Sequence, residues 1–281
     1  MEYFVKFGAG TTGKGTEADP WEIDTTADLD AILDGSYDSD ETDPPVGGLS
    51  SGDTIVFEDG AYDGIRINNN ATDGITFKAK NHRDIFGTPV VTIDWTTADE
   101  SPFGAPYSGG DSTSTCIIEG VDFTLNANTM KHRMGAIQFN RCGFFGSATN
   151  FMQDKCDANF KFCLFELADG VTNFVKDLDT SPTFEFCTVV SQETDTGTAV
   201  YLSDNTTITF DNGVLARTAS LNASYKQNGG AVNATSGKES HVYQWGSDFT
   251  ASATTDPLFI DPSSDDYGPR DPSPLTQTGV L

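Results

Sequence analysis

The sequence predicts an all-β fold: a single-stranded right-handed parallel β-helix (solenoid) with a short N-terminal capping helix. Three observations predict it. An internal repeat recurs about every two dozen residues, short runs inside each copy alternate apolar and polar residues, and the composition is rich in turn formers and aromatics but poor in helix formers.

The repeat is clearest in two segments. Thr149-Asn150-Phe151-Met152 followed by Asn159-Phe160-Lys161-Phe162-Cys163-Leu164-Phe165 matches Thr172-Asn173-Phe174-Val175 followed by Thr183-Phe184-Glu185-Phe186-Cys187-Thr188-Val189. The offset is 23 residues at the start (172 against 149) and 24 at the cysteine (187 against 163). Further copies begin near Ile117, Ala136, Thr198 and Val242. No copy can bury its apolar side alone, whereas stacked copies share one core, with equivalent positions about 4.8 Å apart.

Three ladders follow from that stacking. One runs Phe123, Phe144, Phe165, Val189, Val214, Phe249; a second runs Ile137, Phe160, Phe184, Ile208; a third runs Cys142, Cys163, Cys187 and continues at Asn212. Stacked cysteines are close enough for a disulfide. However, the chain has five cysteines, an odd set, and these three fall where inward packing is expected. The expectation is therefore buried, reduced thiols, with Cys116 and Cys156 outside the ladder.

Earlier strands are expected at Asp53–Phe57, Ile65–Ile67, Ile75–Ala79 and Val90–Trp95. The stretch Thr25–Leu33 has a Thr/Asp start, apolar residues at Leu29, Ile32 and Leu33, and a stop at Gly35, which predicts a short capping helix. The expected organisation is an N-terminal segment and cap over 1–50, coils over 51–255, and a C-terminal cap or tail over 256–281. Stretches 34–50, 96–115 and 217–240 carry no clear period and read as excursions from the coil.

Charge narrows the partners. The formal net charge is −26, with 42 Asp+Glu against 16 Lys+Arg. Such a surface repels nucleic acid and anionic membrane. No window reaches the roughly 18 apolar residues of a membrane span. The start Met1-Glu2-Tyr3-Phe4-Val5-Lys6-Phe7-Gly8 lacks the basic and apolar regions of a signal peptide, so synthesis in a cytoplasm without export by the general route is expected.

Gly52-Asp53-Thr54-Ile55-Val56-Phe57-Glu58-Asp59-Gly60-Ala61-Tyr62, followed by Gly74–Ala79, resembles the opening coils of pectate-lyase-like β-helix proteins. The closing Asp256–Asp261, then Asp266-Tyr267 and Ser273-Pro274-Leu275, is similar to the terminal pattern of the same superfamily. The resemblance implies the fold. It leaves function open among lyases, glycoside hydrolases, phage tailspikes and non-catalytic virion proteins.

Readable chemistry is sparse. A lyase needs a Lys or Arg base, and the one basic cluster is Lys131-His132-Arg133, with no second base in register. A hydrolase needs paired carboxylates; Asp122 and Asp248 share a register with Glu166 near it, and solvent-facing coil residues explain them equally. Asp261, Asp265 and Asp266 lack the Gly-punctuated spacing of a calcium loop. Gly8-Ala9-Gly10 is not followed by the helix that a nucleotide loop requires. No catalytic residue, metal ligand or cofactor is assigned.

The functional expectation is a non-enzymatic structural protein on the surface of a phage virion, either a capsid decoration (cement) protein or a small spike. Its expected partners are a virion protein such as the major capsid protein and further copies of the chain, a trimer being one arrangement. Docking is expected through Phe103, Tyr107, Leu221 and Tyr225, large residues set in the excursions. The alternative is a carbohydrate-active enzyme or glycan-binding spike, with Trp95, Tyr107, Tyr225 or Trp245 as stacking platforms.

Overall fold

The computed structural model describes residues 1–10, 12–39, 42–67, 73–82, 89–95, 115–126, 129–130, 137–153, 158–178, 181–191, 200–204, 206–211, 214–217, 225–228, 231–234, 259–261 and 266–269, with side chains through 191 and at 204 and 206–210. Among these residues the chain is mostly strand, arranged in long parallel sheets, with one helix. The all-β expectation holds at that level.

The first sheet has ten strands. In spatial order they are β2 (Trp21–Ile23), β1 (Glu2–Phe7), β3 (Thr54–Phe57), β5 (Ile75–Ala79), β7 (Cys116–Glu119), β9 (Ile137–Asn140), β12 (Ala158–Lys161), β15 (Thr183–Glu185), β18 (Thr207–Asp211) and β21 (Ala231–Ala234). The second sheet runs β4 (Gly60–Ala61), β6 (Val91–Asp94), β8 (Asp122–Asn126), β10 (Gly143–Gly146), β13 (Leu164–Leu167), β16 (Thr188–Ser191) and β19 (Val214–Arg217). The third runs β11 (Asn150–Gln153), β14 (Asn173–Lys176), β17 (Val200–Asp204) and β20 (Tyr225–Asn228). A separate antiparallel pair joins β22 (Phe259–Asp261) to β23 (Asp266–Pro269).

From β9 onward the chain enters the three sheets in turn, and each strand pairs in parallel with its counterpart one circuit later. Alternation decides which side chains face inward. In β9, Ile137 and Phe139 are buried while Gln138 is exposed; β12 repeats this with Ala158, Phe160 and Asn159. Inside, Phe139, Phe160, Phe184 and Phe210 stack at 4.8–5.1 Å between ring centroids. From the second sheet, Phe123, Phe144 and Phe165 stack at 5.0–5.5 Å. The two columns meet edge to face, as at Phe160–Phe165, 5.1 Å and 77°. Each such contact adds about 0.5–1.5 kcal/mol beyond area burial.

Two ladders therefore need correcting in register. Phe160 pairs with Phe139, and Phe184 with Phe210, so Ile137 and Ile208 lie two residues off the expected column. A shift of two keeps a side chain on the same face, so the apolar pattern alone does not separate the two registers. At the end of the other ladder, Val189 pairs with Leu215, whereas Val214 pairs with Thr188. Phe249 and Asn212 lie outside the described residues.

The helix α1 (Thr26–Asp34) forms where expected. Thr25 caps it through a capping box with Asp28, and Gly35 ends it at φ 78°, its N–H donating to the carbonyls of Ala31 and Ile32. Leu29, Ile32 and Leu33 enter the common core, and the Thr26 hydroxyl accepts from the Arg66 N–H at 2.9 Å. The strand β1 was not read from the sequence. It lies between β2 and β3, with Tyr3 stacked on buried Trp21 at 5.5 Å and the Tyr62 hydroxyl donating to the Val5 carbonyl at 3.0 Å. The stretch 217–240 is not wholly an excursion, because β20 and β21 continue the third and first sheets.

Candidate docking face

The side chains that alternate outward from the first sheet form two columns. Register aligns Thr54, Thr76, Ile117, Gln138, Asn159, Thr183 and Thr209 in one, all uncharged. Beside it, Lys78, Glu119, Asn140, Lys161 and Glu185 align in the other. Ile117 is 38% exposed, unusual for an isoleucine in a polar column. Gln138 Nε2 donates to Asn140 Oδ1 at 3.1 Å, and the Thr183 hydroxyl donates to Asn159 Oδ1. Lys78 pairs with Glu2 at 2.5 Å, Lys161 with Glu185 at 3.1 Å, and His82 lies 3.8 Å from Glu119. Two lysines and two glutamates cancel from β5 to β15, and register continues the two columns to Asp211 in β18 and Glu2 in β1, so this face carries little net charge for a chain of −26.

A shallow depression of about 280 Å³ opens at the N-terminal ends of these strands, lined by Gly74, Thr115, Cys116, Ile117, Gln138 and Asn159 among others. Cys116 is its one potential nucleophile. Burial pushes its thiol up to about 12, so it stays protonated at neutral pH and does not act as a thiolate.

The face ends at a corner with unusual backbone. Gly120, Arg141, Phe162 and Phe186 occupy equivalent positions between the first and second sheets, all left-handed, with φ between 53° and 70°. For a non-glycine residue this costs about 1–2 kcal/mol. Hydrogen bonds continue around the corner, the N–H of Arg141 donating to the Lys161 carbonyl and that of Phe162 to the Glu185 carbonyl, both at 2.9 Å. Outside, Phe162 and Phe186 stack at 5.1 Å, and the Lys161 ammonium sits 5.5 Å from the Phe162 ring centroid. Inside, the turn points the next residue into the core: Val121, Cys142, Cys163 and Cys187 are all buried.

The cysteine column is thus internal, as expected. Cys142, Cys163 and Cys187 are free thiols with 0–2% exposure, and their Sγ atoms donate to the carbonyls of Ile118, Phe139 and Phe160 at 3.4–3.5 Å. Burial holds the thiols of Cys142 and Cys187 well above the usual cysteine range. The left-handed corner was the feature missed in the sequence. Its signal was Gly120 standing where later copies carry Arg141, Phe162 and Phe186 just before the column residue.

Two further readings are overturned. Asp122 is buried at 1% exposure, so it is not a solvent-facing coil residue; it begins β8, in register with Gly143, a position that carries no side chain. Trp95 is 3% exposed, which leaves no open ring face for a sugar. Phe103, Tyr107 and Leu221 lie outside the described residues, as do Lys131, His132, Arg133, Cys156, Trp245, Asp248 and Asp265; Tyr225 opens β20, and its side chain is likewise outside them. The four expected docking side chains thus lie outside the described residues, and the outward columns are the surface that is described. No protein-family model, no curated protein and no solved structure matches this chain.

Proposed function

We propose that the chain is a right-handed parallel β-helix of the pectate-lyase-like kind, capped by α1, serving as a non-enzymatic structural protein on the surface of a phage virion, as a capsid decoration protein or small spike. The observation that carries the reading is the continuous internal stack. Aromatic rings repeat in register from Phe139 to Phe210 while the outward face presents uncharged and internally paired side chains in columns. A stack of this kind is stiff along its length, because each circuit is held by its neighbours. Stiffness and a wall of paired charges suit a protein whose task is to sit on a larger assembly. Polar groups laid out in columns do not converge on one reacting atom, as catalysis requires.

The test is mass spectrometry of gradient-purified virus particles, run beside an assay of the isolated chain on uronate and neutral polysaccharides. The reading expects the chain in the particles at a copy number comparable with a surface protein, and polysaccharides left intact. Its absence from particles, or depolymerisation by the chain alone, would replace this reading with that of a carbohydrate-active enzyme.

A further inference from the structure

We infer that the outward face of the first sheet is a two-fold, self-complementary contact between two copies of this chain. In spatial order the charged column reads Lys78, Glu119, Asn140, Lys161, Glu185, one residue per strand from β5 to β15. Reversed about Asn140, each of these four charges meets its opposite: Lys78 faces Glu185 of the second copy, and Glu119 faces Lys161; Asp211, the next position of the column, falls opposite Val56 by register. This is the pattern a two-fold axis parallel to β9 generates when two such sheets pack face to face. Strand direction is kept, strand order is inverted, and each column lies on its own copy.

The residues on the axis fit the same operation. Asn140 and Gln138 meet themselves, and a side-chain amide carries both donor and acceptor, so it bonds its own copy without a buried orphan. Ile117, the exposed apolar residue of the neutral column, lies against Asn159 of the second copy and supplies apolar burial. Charge alternation favours this contact: identical copies of a chain at −26 repel, and the repulsion is relieved where opposite charges face each other.

The contact is small. Seven strands about 4.8 Å apart and four residues about 3.3 Å long span on the order of 400 Å² per copy, about half the roughly 800 Å² per partner of a standard stable interface. The dimer is therefore weak, forming toward millimolar concentration and dissociating in dilute solution. The inference goes beyond the proposed function and is tested on the isolated chain, whatever surface that chain occupies.

The experiment is sedimentation velocity across micromolar to millimolar concentration on the wild type, on Glu119→Lys, on Lys161→Glu, and on an equimolar mixture of the two variants. Melting temperatures serve as a check that both variants keep the fold. Each variant alone sets two like-charged pairs across the axis and stays monomeric. In the mixture, one half of the contact sets the introduced lysine against the introduced glutamate. The other half keeps the native pairing of Glu119 with Lys161, and dimer returns to the wild-type level. A wild type that is monomeric throughout, variants that dimerise like the wild type, or a mixture that fails to recover dimer would each overturn the inference.

Discussion

Phe160 lies on Phe184 with ring centroids 5.0 Å apart and planes 5° from parallel, one circuit of the chain apart. Phe165 packs edge-on against both, at 5.1 and 5.6 Å, and also stacks on Phe144 at 5.0 Å. It therefore stands where the columns of two sheets meet. Phe165→Ala should lower stability by about 3–5 kcal/mol, the range for a fully buried phenylalanine. Urea denaturation measures it, and a loss below about 1 kcal/mol would mean that the columns do not interlock.

The buried thiols make a second expectation. Cys142, Cys163 and Cys187 should resist a bulky thiol reagent in the folded protein and react only on unfolding, because each Sγ is buried and bonded to a backbone carbonyl. Cys156, outside the described residues, is expected to react. Mass spectrometry after native labelling assigns each site. Rapid modification of the three column cysteines would contradict the inward turn at the corner.

The corner itself can be tested in both directions. Arg141 is exposed and left-handed at φ 54°, so Arg141→Gly removes backbone strain and should raise stability by up to about 1 kcal/mol after the entropy of glycine is counted. Gly120 has φ 70°, and a Cβ there would collide with the His82 ring. Gly120→Ala should therefore lower stability by more than about 1 kcal/mol. Thermal melts of the two variants should move in opposite directions.

The capping box of α1 predicts a pH dependence. Burial opposes ionisation of Asp28, but hydrogen bonds from the Thr25 hydroxyl at 2.8 Å and from the backbone N–H groups of Asp24 and Thr25 outweigh it and hold its carboxyl below the ordinary 3.8. A depressed folded pKa means the contribution is complete above the unfolded value near 3.8 and is lost as pH falls through the folded value. Asp28→Asn should thus be less stable than wild type near neutrality, with the gap closing at acid pH. Thr25→Ala should cost about 1 kcal/mol. Equal gaps at neutral and acid pH would remove the carboxylate from the cap.

Much of the fold was legible because inward side chains recur with the circuit. The matched pairs Phe160–Phe184 and Phe165–Val189 could be read directly, as could the helix, whose Thr25 start and Gly35 stop are local signals. Register at Ile137 and Ile208 was not legible, since a two-residue shift leaves the face unchanged. The strand Glu2–Phe7 was missed because it precedes the first clear repeat and owes its place to pairing with β2 and β3. The outward columns were invisible until register was known: Lys78, Glu119, Asn140, Lys161 and Glu185 become a series only when their strands are laid side by side. Burial of Asp122 was equally hidden, because a carboxylate at the head of a strand reads as a turn residue.

The register across the first sheet is the claim on which the rest depends, and engineered cross-links test it most directly. Gln138 and Asn159 are partners on adjacent strands, whereas Gln138 and Thr183 are separated by one strand between them. A disulfide needs Cα atoms about 4.4–6.8 Å apart, which only adjacent strands provide. Gln138→Cys with Asn159→Cys should cross-link quantitatively under mild oxidation, while Gln138→Cys with Thr183→Cys should not. Efficient bonding of the second pair, or failure of the first in a folded protein, would contradict the parallel stacking of successive circuits.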